Sequence, residues 1–358
     1  MSTTTAAVTP AGIPDLHATK IREQTTSLVL LVALLAVAFL LSVLFSGLAS
    51  TVTELMIRIV VVVGLYIFIG NSGVLSFGHI SFMSVGAYGF IWLSCCTLPT
   101  VKPLYFPGLS EVLQNVALPV AQGTVGAAAL AGFVALVAGA VLMRLSGTAA
   151  SIATFALLAG QYALYKNWTN VTGGTASIAN VPVFVTPLVG TVLAVLAVIV
   201  AWAHQVSKYG LMLRAARDEP TAAKASGVNI WRVRTIAFAL SGTIVGLGGA
   251  MHAGFVGVVT ADAFYLGMTF MTLAMLIVGG IGSLSGAVVG VVTLTAVTEL
   301  LRRLEVGVPV GDMLFEMPRG LQEVGLGVAM ILVLLFRPAG IMAGKELSLN
   351  LGFLRKRK

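Results

Sequence analysis

Charge is scarce in this 358-residue chain. Asp, Glu, Lys and Arg together make up 9% of it, against 58% hydrophobic residues. Soluble domains carry roughly 25% charged residues, so a fold of this size could not clothe a water-facing surface. The mean hydropathy of +1.01 agrees. Cysteine is scarcer still. The only two, Cys95 and Cys96, are neighbours inside an apolar run. They give neither a disulfide framework nor metal-ligand spacing, and read as small membrane-buried hydrophobes. No lysine is followed by Ser or Thr, so the chain lacks the G-x-x-x-x-G-K-[ST] loop of an ATP-hydrolysing site. H-E-x-x-H and G-x-S-x-G are missing too. His79 and His252 each stand without a second ligand at metal spacing. A membrane-embedded enzyme would need a convergent His/Asp/Glu or Ser/His cluster, and none is visible. The expectation is no catalytic residue, no metal and no cofactor bound by this chain.

Long apolar runs are what the sequence has in abundance. A spanning helix needs roughly 20 mostly apolar residues, and long uniform runs satisfy the backbone in lipid only as helices. The runs place spans at 28–48, 55–70, 79–97, 122–143, 148–165, 184–204, 235–255, 266–282, 284–301 and 321–337. The expected fold is all-α, a polytopic integral membrane protein of about ten helices, some short or broken. The first run is too long for a signal-peptide core of roughly 7–15 residues and reads as a retained helix. Residues 1–27 form a polar N-terminal tail, 28–343 the membrane domain and 344–358 a basic tail.

Lys and Arg set the orientation. With both termini cytoplasmic, fifteen fall on the inside: Lys20, Arg22, Arg144, Lys208, Arg214, Arg217, Lys224, Arg232, Arg234, Arg337, Lys345, Arg355, Lys356, Arg357 and Lys358. Five fall outside, namely Lys102, Lys166, Arg302, Arg303 and Arg319, and Arg58 lies within a span. The net charge of +8 is therefore mostly topology facing anionic lipid, and nucleic acid is not an expected partner.

One inside loop, 205–234, stands out for its length. Leu211–Arg217 and Thr221–Ser226 are rich in good helix formers. Pro220 suits a helix start and Gly227 a helix stop. "TAAKASG", Thr221 to Gly227, resembles the EAA-xxx-G pattern of ABC-importer membrane subunits, with Thr221 where the pattern has glutamate and Glu219 the nearest substitute. "GNSGVLSFGHISFMSVGAY" (Gly70–Tyr88), "NWTNVTGGTASI" (Asn167–Ile178), "GGIGSLSGAVVG" (Gly279–Gly290) and "LFRPAGI" near the C-terminus resemble permeases of the branched-chain amino acid type in the same order.

That resemblance implies a permease in the bacterial inner membrane. It also implies separate ABC ATPase subunits that carry the ATP, an extracytoplasmic solute-binding protein, and a second related permease or a second copy of this chain. Arg217, Thr221, Ala222, Ala223 and Gly227 become the expected coupling residues, the alanines packing into a groove on the ATPase. Branched-chain amino acids are the namesake solutes of such permeases, and urea and short amides are associated with similar ones. Which solute, and whether the permease pairs with itself, the sequence leaves open.

Two further segments carry open alternatives. Asn71, Ser72, Gly73, Ser76, Gly78 and His79 interrupt an apolar stretch. They line a translocation path, as irregular backbone at membrane depth can, or they form a tight turn with small residues for helix packing. Thr172, Gly173 and Gly174 in an outer loop contact the binding protein or simply turn. Glu54 and Arg58, four apart, share one face of the second span, as a functional pair or a structural one. A stand-alone secondary transporter or channel is the alternative function. It would need ionisable residues along a pore, and only Arg58, His79 and His252 are available.

Overall fold

The computed structural model describes residues 16–95, 101–306, 308–310, 313–315, 318 and 320–347. Helices occupy all ten expected runs. The first three are α1 (Leu16–Leu44), α2 (Ala49–Ser72) and α3 (His79–Ser94). The short α4 (Val101–Tyr105) and α5 (Glu111–Asn115) lie on the way to α6 (Val120–Leu142). After α7 (Gly147–Asn167) comes the one-turn α8 (Thr169–Thr172), then α9 (Pro187–Val206). The long loop folds as α10 (Lys208–Asp218) and α11 (Pro220–Ala225) before α12 (Ile230–Val256). The chain continues as α13 (Leu266–Gly279), α14 (Leu284–Val306) and α15 (Leu321–Phe336). A small antiparallel pair, β1 (Val308–Val310) with β2 (Met313–Phe315), precedes α15.

Among the described residues, eight helices are long and apolar enough to cross a membrane: α1, α2, α6, α7, α9, α12, α13 with the turn before it, and α14. At 16 residues each, α3 and α15 are shorter. The chain is a multi-pass membrane protein of the all-α class, with one short strand pair.

α2 and α12 form the centre. Both pack against each other, and α12 also packs along α3 and α6. Close approach explains the glycines there. A Cβ on Gly249 of α12 would lie 1.9 Å from the Met83 carbonyl oxygen of α3, and one on Gly86 of α3 would lie 2.0 Å from that of Gly246. Lipid offers helices no hydrophobic drive to associate, so small residues that admit dispersion contact between backbones hold them together. The outer faces of α1, α6, α7 and α9 expose residues such as Leu40, Phe133, Ile152 and Leu196, as lipid-facing surfaces should.

The ends differ from the expected boundaries. α1 reaches back to Leu16, so the polar segment 1–27 is helical over its second half. The chain after α15 stays packed through Leu347: Ile341 and Met342 N–H donate to Val278 and Gly279 carbonyls of α13. Cys95 is buried, as a small apolar residue should be. Cys96 lies outside the described residues, as do Arg319 and most of the basic tail.

Candidate functional site

The loop from α9 to α12 is a built unit whose caps are legible in its sequence. Ser207 caps α10 by accepting from Gly210 N–H at 3.3 Å. Glu219 caps α11 by accepting from Thr221 N–H at 3.2 Å, with Pro220 in the first turn. So the acidic residue of this segment is the cap and Thr221 sits inside the first turn. At the other end Gly227 takes φ +82°, and Val228 N–H reaches back to the Ala223 carbonyl at 3.0 Å. This six-to-one bond around a left-handed residue is the Schellman closure. Asn229 then caps α12 through Arg232 N–H at 3.1 Å.

The faces of this unit are sorted. Gly210, Leu213 and Ala216 of α10 turn inward, while Tyr209, Leu211 and Met212 are exposed. On α11, Thr221, Ala222, Lys224 and Ala225 are exposed, as is Gly227 just beyond. Ala223 is not: it is 5% exposed and packs within the chain. Of the alanines expected to enter a partner's groove, Ala222 and Ala225 are free to do so, and Ala223 supports the helix from behind.

Arg217 joins this unit to the bundle. Its Nη1 donates to the Gly70 carbonyl oxygen at 2.8 Å, and its Nε donates to Asp218 at 3.0 Å. Gly70 lies in the last turn of α2, where carbonyls lack helical partners and a cation is favoured. The aliphatic stem of Arg217 lies over Gly73, whose φ of +70° ends α2; a Cβ there would sit 2.6 Å from Arg217 Cγ. Arg214 braces the other side, donating to the Gln205 carbonyl at 2.6 Å. The coupling candidates and the glycine-rich interruption, read separately in the sequence, thus meet at one place.

That interruption closes as a turn between α2 and α3. Asn71, Ser72, Ser76 and His79 are all at most 3% exposed. His79 Nδ1 bonds Ser76 Oγ at 2.8 Å, and its ring sits among Phe68, Phe82 and Phe238. Ser72 Oγ accepts from Val74 N–H at 3.2 Å. A Cβ on Gly78 would lie 2.6 Å from the Thr154 carbonyl oxygen of α7. Among these six residues only Gly73 is exposed. In the outer loop, Thr172 is fully buried and donates to the Tyr165 and Trp168 carbonyls, while Gly173 and Gly174 take positive φ to end α8.

One residue was missed by the sequence reading. Glu346 receives five hydrogen bonds: Leu284 N–H (3.0 Å), Ser285 N–H (3.1 Å) and Ser285 Oγ (2.6 Å) from the start of α14, Ser27 Oγ (3.1 Å) from α1, and Gln205 Nε2 (3.1 Å) from α9. A carboxylate at a helix N-terminus meets free N–H groups and the positive end of the dipole. The available signal was its sign: Glu346 is the single acidic residue after Glu323.

Among the described residues no group of three or more His, Cys, Asp or Glu could hold a metal ion. Towards the other end of α14, Glu299 pairs with Arg302 and Arg303 at 2.9 Å each.

The chain matches the family model described as the branched-chain amino acid transport system permease component over residues 47–335. It is 26% identical over 364 residues to the high-affinity branched-chain amino acid transport system permease protein LivM of Salmonella typhimurium, covering 92% of this chain and 77% of the relative. The Escherichia coli protein of the same name is 25% identical over the same shares. The guanosine ABC transporter permease protein NupQ of Bacillus subtilis is 33% identical over 82 residues, 22% of this chain and 26% of that one. No solved structure gives a significant match. The chain therefore belongs to the branched-chain amino acid transport system permease family, as a transport subunit of ABC type rather than an enzyme.

Proposed function

We propose that this chain is the membrane-spanning permease of an ATP-driven importer for branched-chain amino acids or a similarly small polar solute. It sits in the bacterial inner membrane with both termini cytoplasmic. ATP is bound and hydrolysed on separate ATPase subunits beneath it. A second permease, related or identical, completes the path, and an extracytoplasmic binding protein delivers the solute. A guanosine permease matches 22% of this chain, so likeness over part of the chain does not by itself name the solute.

The observation that carries the reading is the α10–α11 unit. It is capped at both helix starts and at the end of α11, presents Thr221, Ala222, Ala225 and Gly227 outward, and is tied through Arg217 to the end of the central helix α2. A short helix pushed by a partner moves only what it is fixed to. Here the fixed element is the most buried of the eight long spanning helices, so a displacement at α11 reaches the helix core rather than dissipating in a loop. A stand-alone transporter has no need of such a unit.

The test is a pull-down from detergent-solubilised native membranes, with mass spectrometry of what accompanies the chain. Recovery of a P-loop ATPase that disappears with Ala222→Asp is the expected result. Ala222 is exposed, so the substitution leaves the fold alone. Recovery of the chain by itself under several gentle detergents would overturn the assignment.

A further inference from the structure

Arg58 lies deep in a spanning helix. α2 begins at Ala49, and at 1.5 Å per residue Arg58 is about 13 Å along it. Its Nη1 donates to Thr295 Oγ1 at 3.3 Å and approaches Thr298 Oγ1 at 3.5 Å. Thr295 is the middle residue of the 23-residue α14. Nη2 pairs with Glu54, one turn earlier on α2. The Arg58 side chain is 18% exposed and that of Glu54 46%. Charged groups in a span face a bundle interior, a water-filled cavity or a partner, because hydrocarbon is too costly. The α2–α14 face that carries this pair is therefore not a lipid face. His252 of α12 lies within electrostatic reach of both charges, and Arg302 of α14 within reach of Glu54. The charged residues thus continue along α14 to its end, where Glu299 holds Arg302 and Arg303.

We propose that Glu54 and Arg58 form a contact site for a zwitterionic solute, Arg58 taking its carboxylate and Glu54 its ammonium. The proposal rests on the importer reading and adds to it the residues that meet the solute within the membrane. The pair is suited to an exchange. Empty, the two side chains neutralise each other. When a zwitterion enters, its carboxylate replaces that of Glu54 at the guanidinium fork, whose planar donors match a carboxylate. The released Glu54 meets the ammonium. Every charge keeps a partner, so the penalty for stranding a buried charge is not incurred. Thr295 and Thr298 hold the guanidinium meanwhile. A solute with only one charge, or none, would strand one member of the pair, so the site favours amino acids over urea, neutral amides or nucleosides. A purely structural ion pair accounts for the contact but not for a half-exposed carboxylate on a spanning helix.

The experiment is ATP-dependent uptake of radiolabelled L-leucine into proteoliposomes holding the complete transporter with its own ATPase, second permease subunit and binding protein. Arg58→Ala, Glu54→Gln and the swapped double variant Glu54→Arg/Arg58→Glu are compared, with ATPase capture as the control for assembly. The swap keeps an i,i+4 ion pair but reverses its direction in the path. The expected result is at least a tenfold loss of leucine uptake in all three, the swap assembling as wild type does. Uptake restored by the swap, or wild-type uptake by Arg58→Ala, overturns the proposal. If Arg58→Ala does not assemble, the swap carries the test. Wild-type vesicles that hydrolyse ATP but import neither leucine nor any other amino acid would overturn this site and leave the importer reading standing, whereas a chain that captures no ATPase would overturn that reading first.

Discussion

Replacing Arg217 by alanine should separate ATP hydrolysis from transport. The substitution removes one charge-assisted hydrogen bond, Nη1 to the Gly70 carbonyl at 2.8 Å, and the stem that covers Gly73. Bonds to charged groups contribute about 1.5–3 kcal/mol. The side chain is 32% exposed, so water can take over part of the bond, and about 1–2 kcal/mol is the appropriate range. Free energy affects coupling only as far as it differs between the two states of the cycle, so this figure is a ceiling. At 1.4 kcal/mol per factor of ten, it corresponds to about a 5- to 30-fold fall in solute imported per ATP. Arg217→Lys keeps the charge without the fork and should fall between. The assay is uptake and phosphate release measured in the same proteoliposomes. An uptake-to-hydrolysis ratio within twofold of wild type for Arg217→Ala, with the protein assembled, would refute the argument that α10 drives α2 through this contact.

Glu346→Ala strands the Leu284 and Ser285 N–H groups, while the Ser27 and Ser285 hydroxyls keep each other; at about 1–3 kcal/mol per stranded group it should cost about 2–6 kcal/mol; thermal unfolding in detergent reads it, and an unchanged midpoint counts against the clamp. Gly249→Ala places a methyl group against the Met83 carbonyl at 1.9 Å, where backbone must move, so folded yield should drop sharply while a substitution on an open face such as Phe133→Leu leaves it intact. Gly227→Ala meets no neighbouring atom and costs only the left-handed conformation, about 1–2 kcal/mol; Gly227→Asn should be milder, and the two are ranked by ATPase capture. His79→Phe should retain folding and most uptake, because His79 sits in an aromatic cluster rather than on an open surface; complete loss of uptake in an assembled protein would favour a path role for His79 over a packing one.

The helices were legible because each apolar run is uniform and lipid permits little else. Their ends were less so. Hydropathy stops at the polar residues before Leu28, whereas the backbone stays helical back to Leu16. The α11 unit was readable down to its start and stop, since Pro220 and Gly227 act locally. Its phase was not: in six residues Ala222 and Ala223 look alike, and only packing decides that Ala223 turns inward. The interruption at Gly70–His79 was visible as composition, but composition cannot tell a path lining from a packed turn. What settled its position was Arg217, 147 residues away from Gly70. Glu346 was illegible for the same reason, its partners being separated from it by up to 319 residues.

The Glu346 clamp also bears on how the chain is made. Ser27, Gln205 and Ser285 are all synthesised before it. From Ser285 to Glu346 takes on the order of 3–12 s at about 5–20 residues per second. During that interval α1, α9 and α14 lie in the membrane without the carboxylate that joins them. Assembly of these three helices is therefore completed from the C-terminus, after insertion. Chains released before residue 346 would carry the helices of a permease with their common fastening missing.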